Sequence, residues 1–237
     1  MSLTDEIKKD VQGVIDTPWN IRKGRVVPAT TDVALSGGAV ELDATFLYAD
    51  LAASSKMAKE LDRRVVAKIM KSFLATTCRL INSLDGRIQS FDGDRVMGVF
   101  VGDSKNSNAA KCALQINFVV KEIIKPKFEK KYESVKTASF SIRHGVGVDT
   151  GTVVTVRAGA RGSNDLIWIG RAPNLAAKLS DLRESPYHSF ITASVYNMLN
   201  DSSKFGGEKN ENMWESRNWE FLNENIRVYR SSWHWSP

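Results

Sequence analysis

Residues 87–101 read RIQSFDGDRVMGVFV. Two strand-forming runs, Arg87 to Phe91 and Arg95 to Val101, flank the tight turn Asp92-Gly93-Asp94, a pattern that predicts a β-hairpin. On its N-terminal side, Asp85-Gly86 closes a helical region that Ser54 or Ser55 caps, in which Met57, Leu61, Val65, Ile69, Phe73 and Leu80 recur at helical spacing. Ahead of that helix, Ala44 to Tyr48 (ATFLY) is a compact apolar run leading to Asp50, which reads as a buried strand. On the C-terminal side a helix is expected from about Ser107 to Ile124. Two further strands follow, Phe140 to Val148 and Val153 to Arg157, around Asp149-Thr150-Gly151.

The order strand, helix, hairpin, helix, strand is that of a βαββαβ unit. It predicts an α+β fold of ferredoxin-like type, a central mostly antiparallel sheet with helices packed on one face. Beyond it the reading gives a short strand at Leu166 to Ile169, a helix at Asn174 to Leu182, a last core strand at Phe190 to Thr192 and a helix at Ser194 to Leu199. The ends differ in character from this body. Residues 1–42 read as an N-terminal helix ending near Ile15 plus a connector rich in Pro, Gly and Thr. Residues 43–200 form the body, and residues 201–237 a polar, Gly- and Asn-rich loop followed by a closing hairpin around Asn223-Glu224-Asn225.

With 237 residues, 42% hydrophobic and 25% charged, the chain can bury one sizeable core. No stretch reaches the roughly 20 apolar residues of a membrane span, and the N-terminus lacks the basic-then-apolar order of a signal peptide, so a cytoplasmic protein without a membrane partner is expected. Cys78 and Cys112 fall among helix-forming apolar residues and read as buried thiols rather than a disulfide. His144, His188 and His234 have no ligand spacing, which argues against zinc. The net charge of +6 suits a polyanionic ligand, but the cations are scattered and the densest run, Lys121 to Lys131, carries two glutamates; a nucleic-acid partner is not expected.

The informative constellation is Asp50 at the C-terminal end of a buried strand together with Asp94 at the apex of the hairpin. If the two strands are neighbours in the sheet, the carboxylates converge. Hard divalent cations prefer such oxygen ligands, and Mg²⁺ typically takes one or two carboxylates plus substrate phosphate oxygens. Two ions held this way form a clamp for phosphoryl chemistry, with the backbone carbonyl of Leu51 completing the coordination.

Four segments together resemble the class III adenylate/guanylate cyclase catalytic domain, over roughly residues 43–200. They are Tyr48-Ala49-Asp50-Leu51, the hairpin Gly93-Asp94-Arg95-Val96-Met97-Gly98-Val99-Phe100, the segment Arg143-His144-Gly145-Val146-Gly147-Val148-Asp149-Thr150-Gly151, and the helix from Gly170 through Asn174, Ala176, Lys178 and Leu179. The resemblance implies that Asp50 and Asp94 hold two Mg²⁺ or Mn²⁺ ions in a homodimer with composite active sites, whose Asn174 and Lys178 act from the other subunit. Asn174 would orient the ribose and Lys178 would stabilise the transition state. Where the family has arginine at the second position this chain has lysine, which keeps the charge and loses the bidentate fork.

The family selects its purine at two positions, which fall here on Ser90 and Ile167; neither a Lys/Asp nor a Glu/Cys pair is present. With this departure, the YADLAAS segment and the FDGDRVM hairpin, the chain is most similar to the pyrimidine cyclases of bacterial Pycsar anti-phage systems. That resemblance implies conversion of UTP, favoured over CTP, to a 3′,5′-cyclic monophosphate read by a separate cyclic-nucleotide-binding effector. A divergent adenylate cyclase and an inactive nucleotide-binding module are the alternatives. A hydroxyl on Tyr48 or Ser90 could serve the base; Tyr48, Phe91 and Trp168 read either as packing residues or as parts of a smaller base pocket, and Arg227 and Arg230 either as surface residues of the closing strand or as contacts to the triphosphate.

Overall fold

The computed structural model describes residues 1–160 and 162–237. An N-terminal helix α1 (Leu3–Asp16) leads to β1 (Asn20–Lys23) and then to β2 (Gly38–Leu51), the central strand. Helices α2 (Ser54–Glu60) and α3 (Arg63–Ser83) precede the hairpin β3 (Arg87–Asp92) and β4 (Arg95–Phe100). Helix α4 (Lys105–Phe118) continues through a π-helical turn (Val119–Ile124) into α5 (Lys125–Lys131) and the short α6 (Glu133–Lys136). Next come β5 (His144–Ala160), β6 (Ser163–Ile169), α7 (Arg171–Ser180), β7 (Ser189–Thr192) and α8 (Ala193–Asn197). The tail holds α9 (Asp201–Lys204), the small pair β8 (Phe205–Gly206) and β9 (Glu211–Asn212), and the closing hairpin β10 (Glu215–Phe221) and β11 (Glu224–Ser231).

Among the described residues one sheet runs β10-β11-β7-β5-β2-β4-β3, with β1 joined to β2 and β6 to β5. Its inner part, β5-β2-β4-β3, has the strand order of a ferredoxin-like βαββαβ unit, and its pairs are antiparallel. Only β1–β2 and β5–β7 run parallel among the described strands. Two apolar layers cover the sheet. Leu47, Ala49, Leu51, Val96 and Phe100 pack under α3 and α4. Leu42, Ala44, Phe46, Met97 and Val99 pack on the other face with Ala172 and Ala176 of α7. The expectation of helices on one face thus holds for α3 and α4, while α7 takes the opposite side.

Several element boundaries differ from the sequence reading, each for a local reason. Strand β2 begins at Gly38, because β1 pairs alongside its first residues. The single helix expected from Ser54 is two: Leu61 turns extended (φ −112°, ψ 155°) and Asp62 starts α3 by accepting the Arg64 amide at 2.9 Å. The helix expected to stop at Ile124 runs on to Lys131. Pro126 has no N–H to give, and the preceding turn widens so that the Lys125 amide reaches back to Val120. The two strands expected around Asp149-Thr150-Gly151 are one continuous β5, since both flanks pair without interruption with β2.

Glycines on β5 set where α7 lies. A Cβ at Gly147 would strike the Ala176 carbonyl and the Ser180 amide, and one at Gly145 would strike the Ser180 carbonyl and the Arg183 guanidinium, all well inside contact distance. The strand therefore lets helix backbone sit directly on its surface, beside the end of β2 that carries Asp50.

Candidate active site

Asp50 lies one residue before the end of β2, in register with Gly145 of β5 and Arg95 of β4. Only 9% exposed, it would be an expensive place for a bare carboxylate. Two cations meet that cost: Arg95 Nε stands 3.3 Å from one Asp50 oxygen, and Arg183 Nη2 donates to the other at 2.5 Å. Arg95 in turn pairs with Asp181 just past α7, and Arg183 donates to the carbonyls of Ser180 and Leu182. Burial raises the Asp50 pKa above its usual carboxylate range, Arg95 opposes this, the Asp94 charge raises it further and Arg183 opposes again.

Asp94 sits in the turn of the β3–β4 hairpin, where Gly93 takes the left-handed φ of +60° that the tight turn needs. Its Oδ2 is buried with no hydrogen-bond partner, and its charge acts on Asp50. The turn thus sets Asp94 one residue from Arg95, the cross-strand partner of Asp50. Their donor set fits divalent cations: one carboxylate oxygen is buried without a partner, and the other carboxylate already holds two positive groups. Among the described residues no cluster of three or more His, Cys, Asp or Glu side chains that could hold a metal ion is found.

Helix α7 follows Gly170 and carries Asn174 and Lys178 one turn apart on its exposed face. Asn174 Nδ2 donates to the Gly170 carbonyl at 3.1 Å, closing the first turn. Among the described residues neither side chain bonds to Asp50 or Asp94. Both are presented outward.

Cross-strand partners share a face, which fixes the remaining candidates. Tyr48, Met97 and Ser90 form one row across β2, β4 and β3, and a bulge between Ile88 and Ser90 brings Ser90 into it. Asp50 shares this face, two residues along β2. Trp168 joins the same layer from β6, edge-on to Phe46 with centroids 5.4 Å apart, and its Nε1 is buried without a partner. Burial, opposed by Arg95, raises the Tyr48 pKa above the usual phenol value.

Two candidates depart from this grouping. Phe91 pairs with Val96, so it faces away from Tyr48 and stands 57% exposed; it forms no wall of the pocket beside Tyr48. Ile167 alternates with Trp168 and faces a cavity of about 760 Å³ lined also by Val14, Trp19 and Val156, beneath α1. That cavity has one carboxylate, Asp10, and no pair. Arg230 is committed to Glu184 at 2.9 Å and Glu215 at 2.7 Å, while Arg227 is exposed on the closing strand.

Arg95, Asp181 and Arg183 were not singled out by sequence reasoning. The adjacency of Arg95 to Asp94 was a usable signal, because a cation one residue past a metal-type carboxylate on a paired strand reaches its cross-strand neighbour. Arg183 has no comparable signal: only the seating of α7 brings it to Asp50. The stacked pair His144 and His188, 5.0 Å apart, also emerges only in three dimensions. Cys112 is buried, Cys78 half-buried, and both are free thiols.

No family model matches the chain. It is 59% identical to a uridylate cyclase of Rhodovulum sp. over 237 residues, 100% of this chain and 99% of that protein. A uridylate cyclase of Burkholderia cepacia is 42% identical, with both chains covered in full. In fold it resembles the crystal structure of the guanylyl cyclase Cya2, with a TM-score of 0.67 at 16% identity, over 83% of this chain and 95% of that one. Among the described residues no helix is long and apolar enough to cross a membrane. Full-length identity of this order, on a class III cyclase fold, means that the chain belongs to the uridylate cyclase family.

Proposed function

We propose that the protein is a pyrimidine nucleotide cyclase that converts UTP to 3′,5′-cyclic UMP and pyrophosphate in a homodimer with two composite sites. What supports the reading is the buried Asp50 at the end of β2 beside the hairpin turn that carries Asp94, while Asn174 and Lys178 stand exposed on α7 and, among the described residues, bond to neither carboxylate. Asp50, Asp94 and the Leu51 carbonyl would hold two divalent ions, Mg²⁺ or Mn²⁺. When bound, such ions acidify an attacking hydroxyl and neutralise charge on the phosphates.

The side chains then divide the remaining work. Asn174 from the second subunit holds the ribose so that its 3′-oxygen lies in line with the α-phosphorus. That oxygen forms the new P–O bond, the bond to pyrophosphate breaks, and the hydroxyl proton passes to water. Lys178 places positive charge beside the phosphoryl oxygens as charge builds there. Tyr48, Ser90 and Trp168 share the face on which a base would lie, and a hydroxyl there pairs with the uracil edge. Bulky Tyr48 and Trp168 leave room for a small base more readily than for a purine. A wrong base leaves buried polar groups unpaired, which is how such a pocket discriminates. The cyclic product would be read by a separate effector, as the likeness to anti-phage systems implies, and the enzyme would work in the cytoplasm.

Incubation of the pure protein with UTP, CTP, ATP or GTP and Mn²⁺, followed by mass spectrometry, tests the reading. Cyclic UMP should be the main product. A cyclic purine nucleotide as the sole product would overturn it, and cyclic CMP alone would move the assignment to CTP.

A further inference from the structure

Asp50 meets two guanidinium groups, and they are held differently. Arg95 belongs to the neighbouring strand and is shared with Asp181, so it is part of the sheet's own framework. Arg183 comes from the loop after α7 and crosses β5 to reach Asp50. It can do so only because Gly145, the register partner of Asp50, has no side chain in its path. Its Nη1 is anchored on the carbonyls of Ser180 and Leu182, while Nη2 alone touches the carboxylate. The side chain is 37% exposed, so it borders solvent. A partly exposed cation with one tethered and one extended nitrogen is built to let go of its carboxylate without losing its place.

The geometry points to Arg183 as a metal surrogate: it occupies Asp50 in the nucleotide-free enzyme, yields that carboxylate to the incoming ions, and turns its freed nitrogen to the triphosphate. This rests on the reading of Asp50 as a metal ligand. A carboxylate oxygen bound in line by a guanidinium cannot also bind a divalent ion at the same lone pairs, so the two cations compete. Placing the guanidinium there keeps a buried charge paired in the empty enzyme. Once the ions take over, their charge and the anionic triphosphate together draw the freed donor toward phosphate oxygen, with Nη1 still on its two carbonyls.

Competition followed by assistance predicts two effects of opposite sign. Mn²⁺ binding to nucleotide-free protein, followed by electron paramagnetic resonance of the free ion, should tighten about tenfold in Arg183→Ala. Binding of a non-cyclisable α,β-methylene UTP at saturating Mn²⁺ should weaken about tenfold in the same variant, the loss of one charge-assisted hydrogen bond. Arg183→Lys should recover part of both effects. A residue that merely held the fold would weaken both together. Unchanged or weaker Mn²⁺ binding, or unchanged analogue binding, in Arg183→Ala or in the better-packed Arg183→Gln overturns the proposal. Asp50→Asn serves as the separate control: if it binds Mn²⁺ as the wild type does, the metal-ligand reading itself has failed.

Discussion

Asp50 shows how one residue's surroundings decide its role. At the same sequence position on an exposed strand end it would be an ordinary turn carboxylate. Here burial drives its pKa up, and the two arginines are needed to keep it charged. On the other face of the sheet, in register with Leu51, His144 shows the opposite solution. Fully enclosed between Phe73 and His188, with both ring nitrogens unpartnered, it is kept neutral: burial lowers its pKa well below 6.5, and the nearby His188 and Arg183 lower it further. A histidine with a depressed folded-state pKa binds fewer protons than the unfolded chain, so stability falls as pH drops below about 6.5 and continues to fall until the folded value is reached. Thermal melts between pH 7.5 and 5 should show this loss, and His144→Phe should flatten the profile; an unchanged slope in that variant would assign the loss to other groups.

At the scale of elements, the seating of α7 on β5 matters most. The helix must come close enough for Arg183 to reach Asp50 while Asn174 and Lys178 face outward, and Gly147 sets that approach. Because a Cβ there would meet helix backbone rather than a flexible side chain, the helix would have to move. Gly147→Ala should therefore cost roughly 3 kcal/mol in chemical denaturation and lower activity further than stability alone explains. A fully stable, fully active variant would show that the contact is not needed. The hairpin β3–β4 was legible from residues 87–101 alone, because a Gly turn is a local signal, and the N-terminal helix expected to end near Ile15 is α1. The break at Leu61 and the wide turn before Pro126 were not, since the helical spacing of apolar residues runs through Leu61 without a gap and a proline reads as a helix stop.

At the scale of the molecule, each protomer holds half of what the proposed chemistry needs at one place. Asp50 ends β2 beside the hairpin turn of Asp94, and the amide and ammonium on α7 look outward. A two-fold dimer would give two equivalent sites. Mixing Asp94→Ala with Asn174→Ala chains after mild dissociation should restore activity, since hybrid dimers keep one intact site. Random pairing makes half the dimers hybrid and returns about a quarter of the wild-type rate. No recovery at any ratio would mean that the two residues serve the same protomer's site.

The sequence by itself determined the βαββαβ order, the hairpin with Asp94 at its apex, the strand ending at Asp50, and the family that these motifs resemble. It did so because turn chemistry and hydrophobic period are written into neighbouring residues. Only the tertiary structure decided that Arg95 and Arg183 share Asp50, that Tyr48, Ser90 and Trp168 lie on one face while Phe91 and Ile167 lie on others, and that His144 and His188 stack. Strand register and the closeness of α7 to β5 come from packing between segments distant in the chain, and no local pattern specifies which side chain will meet which across that distance.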